Sequence, residues 1–261
     1  MNTLFSDIRA VTIRNLIRYR REPETILFGI IQPIMFVILF SQVFGGAINV
    51  EGGDYTDFLM AGIFAQTMVF GATISGAVMA TDKKDGLLDR FRTLPMNPAA
   101  VPIGRTLADV VLNAISLLVM ILTGLAVGWR PGNSLGSTLA GIGLLVLFSW
   151  SFSWVMVWLG MMVKNSETMS SASFIVLFPL TFLSNAFVPS ETMPKYFRIF
   201  AEWNPVSSLV QAIRELFGNM GTAPVPDVWT LQNPILAVLL GCVFFVVVFA
   251  PLAIGKYAKA A

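Results

Sequence analysis

The chain predicts an all-α membrane protein built on six transmembrane helices, and three observations carry that prediction. Apolar runs of bilayer length alternate with short polar gaps, charged residues are too few to clothe a water-soluble domain, and the basic residues gather on one side of the alternation. The runs lie at Ile26–Phe44, Phe58–Ala80, Leu107–Gly128, Thr138–Val163, Met169–Val188 and Ile235–Gly255. Each is close to the ~20 residues a helix needs to cross a bilayer. Hydrophobic residues make up 56% of the 261 and charged residues 12%, with a mean hydropathy of +0.75. Polar surface on that scale suits lipid, not water, as the main solvent.

Six crossings place both ends on the same side. Arg9, Arg14, Arg18, Arg20, Arg21, Lys83, Lys84, Arg90, Arg92, Arg105, Lys164, Lys256 and Lys259 share it, and of the 17 basic residues only Arg130, Lys195, Arg198 and Arg214 lie opposite. The positive-inside bias makes the first side cytoplasmic. Asn2 and Ala261 are therefore expected inside, and Gly53, Gly132 and Ser190 outside. No cleavable signal peptide opens the chain, so the first span is expected to direct insertion itself. The organisation reads as one domain over residues 1–261, an interfacial segment at 1–24 and a six-span bundle at 25–261.

Residues 4–22 precede the first span. At helical pitch Leu4, Phe5, Ile8, Val11, Leu16 and Tyr19 fall broadly on one side and Arg14, Arg18 and Arg21 on another, with Asn15 interrupting the apolar stripe. This is the pattern of an amphipathic helix lying in the interface. Pro23 then ends that helix and suits the first turn of the next. Between spans two and three, TDKKDGLLDRFRTLP (Thr81–Pro95) places Leu87, Leu88, Phe91 and Leu94 at helical spacing among Asp85, Asp89, Arg90 and Arg92. A short helix with one apolar face is expected, and a partner protein is the expected cover for that face.

On the other side, the Gly45–Asp57 loop and the Trp129–Gly136 turn are short. Val188–Gly221 is longer and carries Tyr196, Phe197, Phe200 and Trp203. Asn204-Pro205 reads as an N-cap followed by proline at the first helical position. Val206, Leu209, Val210, Ile213, Leu216 and Phe217 then recur at i, i+3, i+4 and i+7, ending at Gly218. With Gln211, Arg214 and Glu215 opposite, this helix is expected at the outer interface or dipping into the outer leaflet, its polar face toward a vestibule or a second subunit.

The chemistry the chain lacks narrows its function. It has no histidine and one cysteine, Cys242, so it supplies no zinc set, haem ligand or histidine-based triad, and no internal disulfide. No G-x-x-x-x-G-K run followed by Ser or Thr occurs, so nucleotide hydrolysis is not expected of this polypeptide. A net charge of +2 gives no reason to expect a nucleic-acid partner. Polar residues within the spans carry more information, since burial there is costly unless they are paired. Arg105 and Asp109, one turn apart, read as a local ion pair that Asn113 can join. Gln32 beside Pro33, Gln66, Thr67, Ser184, Asn185, Gln211 and Arg214 are candidates for lining a pathway or gate, against the plainer role of interhelical hydrogen bonding.

REPETILFGIIQPIMF, YTDFLMAGIFAQTMVFGA, DKKDGLLDRFRTLPMNPAAVPIGRTLAD, SNAFVPSETMP and NPVSSLVQAIRELFGN, in that order and spacing, resemble the transmembrane subunits of ABC-2 type exporters, above all the daunorubicin-resistance-like permeases. The resemblance runs over nearly the whole chain. It implies a type V exporter fold with an interfacial connecting helix, a cytoplasmic coupling helix between spans two and three, and re-entrant helices between spans five and six. It further implies two permease subunits, identical or different, docked in a bacterial inner membrane on two copies of a separate ATPase that binds ATP and Mg. By that resemblance Lys83, Lys84, Asp85, Gly86, Leu87, Leu88, Asp89, Arg90 and Phe91 contact the ATPase, and the cargo is a hydrophobic drug-like compound. Export of a polysaccharide or lipid-linked glycan by the same machinery is the nearest alternative; an intramembrane enzyme or passive channel is an alternative of another class.

Overall fold

The computed structural model describes residues 3–44, 55–220 and 225–259, and among these the chain is helical with no strand. The expected positions Asn2, Gly53 and Ala261, and most of the Gly45–Asp57 loop, lie outside the described residues. Helix α1 (Thr3–Arg21) leads through Glu22 into α2 (Pro23–Phe44), with Pro23 at the first position as its missing N–H allows. The second apolar run forms α3 (Tyr55–Gly71) and α4 (Thr73–Lys84), parted by one turn at Ala72. Gly86, at φ +68°, turns the chain from α4 into the short α5 (Leu87–Arg92), a left-handed conformation that suits glycine.

Two long helices follow, α6 (Ala100–Val127) and α7 (Leu135–Met162), then α8 (Ser166–Phe182). A single 3-10 turn at Ser190–Thr192 precedes α9 (Lys195–Trp203) and α10 (Pro205–Phe217). The chain closes with α11 (Trp229–Gln232) and α12 (Pro234–Lys259). Each of the six apolar runs is helical over most of its described length; the second is broken at Ala72 and the fifth stops at Phe182, six residues before Val188. Four helical stretches are long and apolar enough to cross a membrane among the described residues: Tyr55–Lys84, Ala100–Val127, Leu135–Met162 and Pro234–Ala258. In α2 the described apolar stretch is Ile30–Leu39. With 17 residues, α8 reaches about 26 Å at 1.5 Å per residue, short of the ~30 Å hydrocarbon layer.

Helix α3 is the axis of the molecule. Leu59, Met60, Ile63, Phe64, Met68 and Val69 along it are fully buried, packed with Leu145, Phe148, Met156, Leu209, Val210 and Ile213. Where α4 crosses α7, glycines let the backbones touch: a Cβ on Gly160 would lie 2.3 Å from the Gly76 carbonyl oxygen. The periphery is as apolar as the core. Leu118 and Leu122 on α6, and Leu240, Val243, Phe244 and Val247 on α12, stand exposed in a band that suits lipid contact.

Two expectations are corrected here. The apolar face around α5 is only in part free for a partner: Leu88 is buried with Val11, Met79, Val101, Trp154 and Tyr257 and Phe91 packs on the same cluster, while Leu87 is half-buried and Leu94 exposed. Residues of α1, α4, α6, α7 and α12 together supply the cover that the local sequence left unassigned. Helix α10 forms as predicted, with the Asn204 side chain accepting from Val206 N at 2.9 Å and Gly218 closing it in the left-handed region. Its polar face is not open, however. Gln211 and Arg214 are buried along with Leu209 and Ile213, because α3, α7 and α12 enclose the helix.

Candidate functional site

Beside the break between α3 and α4 lies a cavity of about 230 Å³, lined by residues of α2, α3, α4, α6 and α8. Pro33 interrupts the hydrogen-bond ladder of α2 on one wall. On another, Thr67 donates to Ile63 O at 2.7 Å and Thr73 to Phe70 O at 2.7 Å, so both hydroxyl hydrogens are spent within the helix. Asn113 of α6 donates from Nδ2 to Ser149 Oγ at 2.7 Å, and Ser149 Oγ in turn donates to Met68 O at 3.0 Å. That chain ties α6 and α7 to the carbonyl just before the break. Gly71 leaves the room that Asn113 occupies, since a Cβ there would fall 2.2 Å from Asn113 Oδ1. The structure thus brings Gln32, Gln66, Thr67 and Asn113 together at one cavity. Asn113 turns to Ser149 instead of joining Arg105 and Asp109.

The other pathway candidates lie elsewhere. Ser184 donates to Thr181 O at 2.5 Å and accepts from Ala186 N, and Asn185 N donates to Ser207 Oγ at 3.1 Å, so both residues finish the frayed end of α8 after Pro179. Gln211 donates to Met220 Sδ at 3.3 Å. Arg214 donates to three backbone carbonyls: Phe58 O at 3.1 Å, Asn185 O at 2.9 Å and Ala186 O at 3.3 Å. None of these four residues lines the cavity; Arg214 fastens α10 to α3 and to the chain after α8, and the other three bond within the α8–α10 region.

A second constellation occupies the end of the molecule where the basic residues converge. Asp82, at the foot of α4, accepts from Arg14 Nη2 at 2.7 Å and from Arg18 Nη1 at 2.9 Å. Arg14 also lies over the Phe91 ring at 4.7 Å, and Arg92 donates to Tyr257 O at 2.6 Å. Deeper, the Arg105–Asp109 pair forms as expected and is fully buried. Tyr19 completes it, donating to Asp109 and accepting from Arg105, with Asn15 Oδ1 accepting from Arg105 Nη1 at 3.4 Å. Burial and the Asp109 carboxylate raise the Tyr19 pKa, which keeps its hydroxyl a donor. Asn15, read in the sequence as a flaw in the apolar stripe, is therefore part of the buried face of α1.

Among the coupling candidates, Lys84, Asp85, Asp89 and Arg90 are exposed, whereas Lys83 turns inward to cap α7 through Met161 O at 2.9 Å and Val163 O at 3.2 Å. Arg21 is exposed. Among the described residues no three His, Cys, Asp or Glu side chains converge as a metal site would require.

Comparison with known proteins fits this arrangement. The family model for the ABC-2 type transporter matches residues 6–218. The chain belongs to the ABC-2 type transporter family. It is 33% identical over 244 residues to the daunorubicin resistance ABC transporter permease DrrB1 of Streptomyces coeruleorubidus, covering 94% of this chain and 83% of that one. To the doxorubicin resistance permease DrrC of Mycobacterium tuberculosis it is 24% identical, covering 94% and 86%. To the O-antigen export permease RfbA of Klebsiella pneumoniae it is 23% identical, covering 83% and 82%. As an ABC-2 permease the chain is a multi-pass membrane protein, and the matched region runs from α1 through α10, taking in the cavity and the basic end. Asp82 and Arg92 escaped sequence reasoning as contacts. A lone acid ending an apolar run, in a segment facing five N-terminal arginines, was the available sign for the first; the second needs α12 to return to α5, which no local pattern shows.

Proposed function

We propose that this ABC-2 permease is the membrane subunit of an ATP-driven exporter that carries a hydrophobic, drug-like compound out of the cell. The similarity to a daunorubicin resistance permease over nearly the whole chain carries this reading. The cavity agrees with it in kind, being lined by apolar and uncharged polar side chains only. Relatives that export O-antigen are less similar.

In this reading the chain is a single transmembrane domain of six spans, paired with a second permease subunit and seated on two ATPase copies. It performs no catalysis itself: ATP and Mg bind the partner. The exposed Lys84, Asp85, Asp89 and Arg90 meet the ATPase. Because α5 packs on α4, and Arg14 lies over the Phe91 ring and pairs with Asp82 at the foot of α4, a push on α5 reaches the cavity wall through α4.

Two experiments test the proposal. Cells expressing this chain with its ATPase accumulate less of a fluorescent anthracycline than cells expressing either protein alone; equal accumulation in all three overturns the exporter reading. In a Cys242→Ala background, single cysteines at Gly132 and at Glu191, the exposed neighbour of the buried Ser190, react with an impermeant maleimide from outside, as the six-span orientation requires. Labelling of either only from the cytoplasmic side contradicts it.

A further inference from the structure

We infer that the cavity at the α3–α4 break receives one ring edge of a planar, uncharged aromatic compound bearing carbonyl or hydroxyl oxygens, and that Gln66 selects for the oxygen. This rests on the exporter reading and adds the ligand's chemical class and the residue that discriminates.

Size, charge, shape and hydrogen bonding point the same way. At about 230 Å³ the cavity falls below the ~300–1,000 Å³ of sites that enclose a whole drug-sized molecule. It therefore holds one end of such a molecule, one or two fused rings. None of its 13 lining residues is charged, so an ionised group placed here has no counter-ion at a depth where unpaired charge is costly. Phe36, Phe70 and Phe174 give the lining its rings, with Phe70 and Phe174 meeting edge to face at 6.0 Å. Such rings favour a flat aromatic neighbour.

Gln66 supplies the polar argument. It is 4% exposed, and its Nε2 has no hydrogen-bond partner among the described residues. Thr67 and Asn113, the other buried polar side chains of the lining, direct their donors to Ile63 O and Ser149 Oγ. An unpartnered buried amide destabilises the empty protein, and a leucine of similar size would remove that cost. A ligand oxygen that accepts from Gln66 removes it too, and a hydrocarbon does not.

The test uses the permease–ATPase complex in lipid nanodiscs and three probes: 1,4-dihydroxyanthraquinone, anthracene and anthraquinone-2-sulfonate. Saturable binding is measured against empty nanodiscs, for wild type and Gln66→Leu. The dihydroxyanthraquinone binds the wild type and loses about tenfold in affinity in Gln66→Leu, the value of one hydrogen bond to a buried donor. Anthracene binds both proteins equally, the sulfonate binds neither, and the thermal midpoint of the variant is unchanged or higher. Equal losses for both neutral probes, no loss for either, or wild-type affinity for the sulfonate overturns the inference. ATP-driven efflux by the wild type without Gln66-dependent binding overturns this site and leaves the exporter reading. Gln66-dependent binding without ATP-driven movement of any hydrophobic compound does the reverse.

Discussion

Arg214 lays its guanidinium over the Phe58 ring, 3.5 Å from the centroid, and donates to the carbonyl oxygen of the same residue at 3.1 Å. The same group reaches Asn185 O and Ala186 O, so one side chain satisfies carbonyls at the start of α3 and beyond the broken end of α8. Removing it strands those acceptors at roughly 1–3 kcal/mol and forfeits a cation–π contact of about 2 kcal/mol where desolvated. Arg214→Met is therefore expected to lower the thermal midpoint of the detergent-solubilised protein by on the order of 10 °C. An unchanged midpoint would mean that the contact holds nothing together.

Gly160 and Gly143 share α7 but differ in what an added methyl would meet. At Gly160 it meets the Gly76 backbone at 2.3 Å; at Gly143 nothing lies within 4 Å. Gly160→Ala is expected to cost about 1–3 kcal/mol by overpacking, seen as a lower midpoint and lower abundance. Gly143→Ala is expected to match wild type. Equal behaviour of the two variants would deny the close α4–α7 crossing.

The Asp82 carboxylate is 5% exposed, and its two arginines are 32% and 28% exposed. With the arginines partly in water, the cluster contributes about 1 kcal/mol, a local effect more than a global one. Asp82→Asn is expected to speed hydrogen exchange in α1 and to lower transport per ATP hydrolysed, with insertion and midpoint little changed. Exchange in residues 3–21 identical to wild type would remove α1 from the proposed coupling route.

Within α5 the structure separates folding from docking. Leu88→Asp places a carboxylate in the cluster of Val11, Val101, Trp154 and Tyr257, where an unpaired charge costs several kcal/mol, roughly. Low abundance of the permease is the expected result. Arg90→Glu alters an exposed side chain. It is expected to leave abundance intact and reduce ATPase recovered on co-purification. Normal co-purification for Arg90→Glu would move the ATPase contact off this face of α5.

Much of the fold was legible because lipid imposes a simple rule: an apolar run of bilayer length must satisfy its backbone as helix. Four of the runs form helices long and apolar enough to cross among the described residues and the Asn204-to-Gly218 helix forms as expected, whereas the fifth run stops at Phe182 and falls short of a bilayer. What escaped the sequence is what depends on third parties. Nothing local shows that Leu88 is covered by residues of α1, α4, α6, α7 and α12, or that α3, α7 and α12 enclose α10 and bury Arg214. The cavity was half legible. Gln32, Gln66, Thr67 and Asn113 stood out as polar residues in apolar runs, and the structure gathers them; Ser184 and Asn185 stood out equally and serve the end of α8, a distinction set by Pro179 and by Asn204, which donates to Leu180 O at 2.6 Å.

The central claim, an export subunit driven by a separate ATPase, is tested most directly by reconstituting this chain with that ATPase in proteoliposomes and measuring flux of a hydrophobic aromatic compound together with ATP hydrolysis. The account predicts ATP-dependent flux in the direction of export that requires both proteins and raises the hydrolysis rate when substrate is present. Flux that is unaffected by ATP, or hydrolysis that is unaffected by both the permease and the compound, would contradict it.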